Sequence, residues 1–163
     1  VPTPITVILQ PAPMPGWVLI QFVPTSLDLQ PGQTGEVALK LLPGAVGVSG
    51  ADVQFSFDRT ALQVDALEPG EVLGISPIIG LRTVDNEKGL ARIALARQGS
   101  TQSPTVEGVI VRIKIKAMSR DKTADTLLQL NSIKVTDQSF TQVLKLAVFS
   151  NNLPVRILVA PKN

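Results

Sequence analysis

Val109-Ile110-Val111-Arg112-Ile113-Lys114-Ile115-Lys116-Ala117 repeats with a period of two: Val111, Ile113, Ile115 and Ala117 point one way, and Arg112, Lys114 and Lys116 point the other. This pattern predicts a β-strand with one buried and one wet face. The three cations could in principle mark an anion site. They fit a solvated sheet face better, because charge there also discourages edge-to-edge association.

The same alternation recurs on both sides of this stretch. Val37, Leu39 and Leu41 alternate with Ala38 and Lys40, and Val53, Phe55 and Phe57 with Asp52, Gln54 and Ser56. Leu62, Val64 and Ala66 alternate with Gln63 and Asp65, and Ile93 and Leu95 with Arg92, Ala94 and Ala96. Leu81 and Thr83 flank Arg82, Leu128, Leu130 and Ile133 mark a further strand, and Val155, Ile157 and Val159 form the last. Pro31-Gly32, Pro43-Gly44 and Pro69-Gly70 predict type II turns, where glycine accepts a positive φ. Asn86-Glu87-Lys88-Gly89 predicts a hairpin loop. No stretch sustains a 3.6-residue period with caps, and residues 119–125 suffice for one helical turn at most. About nine short strands without helices predict an all-β sandwich or barrel.

Composition narrows the function. A chain of 163 residues, 44% apolar and 17% charged, suits one domain with a sizeable core. Cysteine and histidine are both absent. Disulfides, thiolate metal sites and Ser-His-Asp or Cys-His catalysis are therefore excluded within the chain. Net charge is +2 and no basic block tracks a phosphate backbone, so no nucleic-acid partner is expected. The apolar run at residues 17–22 is far too short to insert across a bilayer. Two carboxylate pairs, Asp65 with Glu68 and Asp85 with Glu87, could in principle do glycosidase chemistry, but they fall at turn edges and more simply keep loops wet. The expectation is no enzyme, no cofactor and no bound metal.

Pro2, Pro4, Pro11, Pro13 and Pro15 mark residues 1–16 as a linker or N-terminal extension, with the domain proper at 17–163. Ile5-Thr6-Val7-Ile8-Leu9 is too apolar for a plain linker. It either docks as an extra strand or is a remnant of what precedes it. The chain begins at Val1 and reads as a segment of a longer protein.

Three segments carry a family resemblance. The first is Gly50-Ala51-Asp52-Val53-Gln54-Phe55-Ser56-Phe57-Asp58-Arg59-Thr60-Ala61-Leu62-Gln63-Val64, the second Gly89-Leu90-Ala91-Arg92-Ile93-Ala94-Leu95-Ala96 with a loose loop at 97–104, and the third Glu107-Gly108 followed by residues 109–117. Leu27-Asp28-Leu29-Gln30-Pro31-Gly32-Gln33 and residues 36–41 fit the opening strands. In this order and spacing, residues 26–160 resemble the cohesin family. Phe57-Asp58-Arg59 stands where that family has Tyr-Asp-Pro, and Gly50 where it has asparagine.

The resemblance implies a nine-stranded jelly-roll β-sandwich that binds a dockerin. Dockerins are small modules whose paired loops hold calcium, so the calcium belongs to the partner. It further implies binding through one sheet face, built from the third, fifth, sixth and eighth strands, and an extracellular or cell-surface parent. The expected partner-binding residues are Asp52, Gln54, Ser56, Arg82, Arg92, Ala94 and Ala96. Asp52 matches a carboxylate that accepts hydrogen bonds from dockerin, Ala94 an outward apolar contact, and Arg82 an outward cation on the fifth strand. A desolvated charge-assisted bond at Asp52 contributes about 1.5–3 kcal/mol. Asp58, by contrast, is expected to bond the turn backbone at 59–61. The chain itself is expected to be a monomer or weak dimer.

Two rivals share the fold class. A jelly-roll carbohydrate-binding module needs an exposed aromatic platform, and only Trp17, Phe22, Phe140 and Phe149 are left to supply one. A structural module of a surface layer or pilus needs no dockerin.

Overall fold

The computed structural model describes residues 5–8, 17–42, 47–74, 76–98, 108–144, 146–149 and 155–161. Among them there is no helix and there are twelve strands: β1 (Ile5–Ile8), β2 (Val18–Val23), β3 (Ser26–Leu29), β4 (Thr34–Leu42), β5 (Val48–Ser56), β6 (Leu62–Pro69), β7 (Ile78–Asp85), β8 (Leu90–Ala96), β9 (Gly108–Ala117), β10 (Ala124–Asp137), β11 (Leu146–Phe149) and β12 (Val155–Val159). Twelve exceeds the nine expected because β1, β3 and β11 span only four residues each. Alternation hardly registers over so short a run.

The strands form two six-stranded sheets, one ordered β1-β11-β2-β4-β9-β6 and the other β3-β12-β10-β5-β8-β7. Most pairs are antiparallel. The exceptions are β1 with β11, β11 with β2, and β12 with β3, all parallel. Of the two readings of the Ile5 segment, the strand is the one observed: Ile5–Ile8 pairs with Leu146–Phe149. Inward side chains of both sheets make one core. Phe22 from the first sheet meets Phe55 from the second with ring centroids 6.0 Å apart and planes tilted at 54°. Tilted aromatic pairs at this distance are favourable beyond simple burial.

The alternation read from the sequence sets which residues enter that core. Val111, Ile113, Ile115 and Ala117 are buried while Lys114 and Lys116 are exposed, and Val53, Phe55 and Phe57 are buried between the sheets. The expectation fails where a strand carries an extra residue. Register slips between Val64 and Ala66, so Leu67 rather than Ala66 takes the next inward place. The helical turn considered at 119–125 is not formed: that stretch bends and then enters β10.

The turns follow local chemistry. Gln33 N–H donates to the Gln30 carbonyl at 2.9 Å around Gly32, whose φ is +79°, as a type II turn requires. Gly70 has no positive φ. Instead its N–H donates to Ile110 O at 3.0 Å, and its bare Cα lies against the Val109 carbonyl, where a Cβ would collide. Pro43-Gly44 lies outside the described residues. The β7–β8 hairpin is tied by Asp85, whose carboxylate accepts from Glu87 N–H and Lys88 N–H, both at 3.0 Å.

Candidate functional site

The outward surface of β10, β5, β8 and β7 is the candidate face. Antiparallel register lines its side chains up in rows running across the strands: Thr136, Gly50, Ala96 and Ile78; then Lys134, Asp52, Ala94 and Leu81; then Ser132, Gln54, Arg92 and Thr83; then Gln129, Ser56, Leu90 and Asp85. Six of the seven residues expected at a partner-binding face, Asp52, Gln54, Ser56, Arg92, Ala94 and Ala96, stand together here. Each is half-buried or exposed, whereas its strand neighbours point into the core.

Arg82 is the exception. Register slips between Ile79 and Leu81, leaving Gly80 as an extra residue, and Arg82 falls level with the buried Ile93. It therefore turns to the side opposite Arg92. Its guanidinium reaches across to the other sheet, donating to Leu67 O at 3.4 Å and lying 3.7 Å from Glu68 Oε2. Leu81 and Thr83 take the outward places in its stead.

The centre of the face is an ion pair. Arg92 Nε donates to Asp52 Oδ1 at 3.0 Å and Nη2 to Oδ2 at 2.7 Å. The pair runs diagonally, because Asp52 is directly opposite Ala94 and Arg92 is opposite Gln54. The methyl group of Ala94 leaves the space that the arginine head crosses. These hydrogen bonds hold the Arg92 pKa above the ordinary arginine range. Ser56 Oγ donates to Asn131 Oδ1 at 2.9 Å, which fixes a second polar point on the face. Gly50 has no room for the family's asparagine: a Cβ there would lie 2.9 Å from the Leu95 carbonyl and 3.0 Å from Thr136 Oγ1.

Asp58 behaves as its turn chemistry predicts. Its Oδ1 accepts from Thr60 N–H at 2.9 Å and from Thr60 Oγ1 at 2.6 Å. The Thr60 hydroxyl bond is the main reason its pKa lies below the ordinary aspartate range. Asp65 accepts from Gln63 Nε2 at 2.8 Å, so this carboxylate, like Asp85, is tied up locally. No cluster of three or more acidic groups suited to a metal ion occurs among the described residues.

The aromatic candidates do not assemble on this face. Phe22 is buried in the core, Trp17 is half-buried and Phe140 is exposed on the loop after β10. The side chain of Phe149 lies outside the described residues. Lys134 and Leu81 were not foreseen as members of the face. A faint signal for β10 existed, since its apolar positions are even-numbered at Leu128 and Leu130 but odd-numbered at Ile133 and Val135. That change of phase marks the register shift at Asn131.

Comparison with known proteins bears on the same region. The family model for the cohesin domain matches residues 20–152. A type I cohesin in a cohesin–dockerin complex from Clostridium thermocellum superposes with a TM-score of 0.66 at 15% identity, over 94% of this chain and 100% of that one. A non-cellulosomal cohesin from the hyperthermophilic archaeon Archaeoglobus fulgidus gives 0.61 at 15% identity, over 90% and 91%. A type II cohesin domain from the cellulosome of Acetivibrio cellulolyticus gives 0.64 at 14% identity, over 86% and 94%. No curated protein sequence matches the chain.

Proposed function

Since the chain belongs to the cohesin family, a family of non-enzymatic interaction modules, we propose that it binds a calcium-loaded dockerin through the outward face of β10, β5, β8 and β7. The observation that carries this reading is the prearranged centre of the face. Asp52 is locked by Arg92 at 2.7 and 3.0 Å on central strands, with the small Gly50 and Ala94 beside it. A flat, rigid patch loses little conformational entropy on binding. Asp52 retains lone pairs on both oxygens beyond those used by Arg92, and these accept donors from the partner. Calcium resides in the dockerin, so the chain itself supplies no metal ligands.

Such a module assembles or attaches a multi-modular protein outside the cell or at its surface. Isothermal calorimetry against a panel of dockerins, each run with calcium and with a chelator, tests the reading. Saturable binding to at least one calcium-loaded dockerin, lost on chelation, is expected. Absence of binding across the panel would sink it.

A further inference from the structure

Lys134 stands directly across from Asp52 in the β5–β10 register, yet Asp52 pairs with Arg92 and not with Lys134. The other charged side chains on the outward rows of β10, β5 and β8 are matched, Asp52 with Arg92 and Asp125 with Arg156. Lys134 is exposed and, among the described residues, no carboxylate lies within ion-pair distance of it. The face therefore presents one uncompensated positive charge beside its centre.

On the side away from Asp52 the neighbour of that charge is apolar. After β10 the chain doubles back: Thr136 bridges Gln142 in antiparallel fashion and Val143 N–H donates to Val135 O at 2.7 Å. This register brings Leu144 level with Lys134. Val143 is buried and Leu144 is 67% exposed, so Leu144 faces outward at the level of Lys134. Across the face Ile78 is 52% exposed, and Ala94 with Leu81 fills the span between.

We infer that Lys134 selects a dockerin whose contacting surface carries a carboxylate flanked by apolar side chains, the carboxylate on Lys134 and the apolar groups on Leu144 and Ile78. This rests on the dockerin-binding reading and narrows it. An ammonium covered by a partner without a counter-charge loses hydration with no return, and one covered by a cation is repelled. Both effects reject dockerins that are neutral or basic at that point. The lysine stem adds apolar contact to whatever covers it.

The test uses a displayed library of calcium-loaded dockerins, randomised at exposed surface positions and selected on the full wild-type chain. The selected binders are expected to be enriched in Asp or Glu at one surface position. Lys134→Glu should weaken them at least about tenfold, and lysine at the selected position should restore binding. Lys134→Met should weaken them less and remove the charge preference, which guards against misfolding in the reversed variant. Lys116→Glu, on the outward side of the other sheet, should leave affinity within about twofold, as expected for a remote screened charge. Binders without acidic enrichment, or with affinity retained on Lys134→Glu, overturn the role of Lys134 alone. Recovery of no binder on the wild-type chain overturns the dockerin reading with it.

Discussion

Arg92 holds the carboxylate of Asp52 with two parallel hydrogen bonds, 3.0 and 2.7 Å long, although 40 residues of chain separate them. Exposed ion pairs contribute little to stability, because water screens them and two long side chains must be ordered. What this pair provides is a fixed carboxylate on a flat surface. Asp52→Ala is accordingly expected to weaken dockerin binding several-fold, about fivefold or more if a charge-assisted bond is lost. The melting temperature should stay within a few degrees, as measured by calorimetry and thermal unfolding on the same sample. Unchanged affinity removes Asp52 from the interface.

Arg82 faces away from that pair, toward Leu67 and Glu68 of the opposing sheet. Arg82→Ala should therefore leave dockerin affinity within about twofold, the range of a surface change outside an interface hot spot. A large loss of affinity, measured by the same titration, contradicts the register assigned to β7.

Gly89 closes the β7–β8 hairpin with φ of +72°, and its bare Cα lies against the Phe57 carbonyl, where a Cβ would collide. Phe57 N–H in turn donates to Gly89 O at 2.9 Å. Gly89→Ala adds both left-handed strain and a backbone clash, and should destabilise the fold by about 1–3 kcal/mol. The midpoint of urea unfolding reads this directly, and an unchanged midpoint refutes it.

Asp58 has a pKa below the ordinary aspartate range, chiefly through the Thr60 hydroxyl. A carboxylate whose folded-state pKa is depressed stabilises the fold fully above its unfolded value of about 3.9 and loses that contribution as pH falls through the lower folded value. Asp58→Asn has no charge to lose. Between about pH 5 and pH 2, wild-type stability should therefore fall more steeply than that of the variant. Parallel acid limbs in denaturant titrations refute the assignment.

Alternation at β5 and β8 was legible because both are central strands with buried and wet sides, and β5 is regular from Gly50 to Ser56. The Asp58 turn and the Asp85 hairpin were legible because their hydrogen bonds close within a few residues. The alternation in β7 does not place Arg82. The residues of β7 are nearly all exposed, so burial leaves no imprint on the choice of side chain, and Gly80 shifts the phase without changing the composition. β10 was only partly placed, since the shift at Asn131 reverses its parity midway.

By itself the sequence determined that this chain is an all-β sandwich and which side of β5 and β8 meets water, because the pleat of a strand imposes a period of two on residues adjacent in the chain. Tertiary structure alone decided that Asp52 takes Arg92 and leaves Lys134 unmatched, and that Arg82 leaves the face. Those outcomes depend on how distant strands slide into register, and a single extra residue in a strand inverts every side chain beyond it.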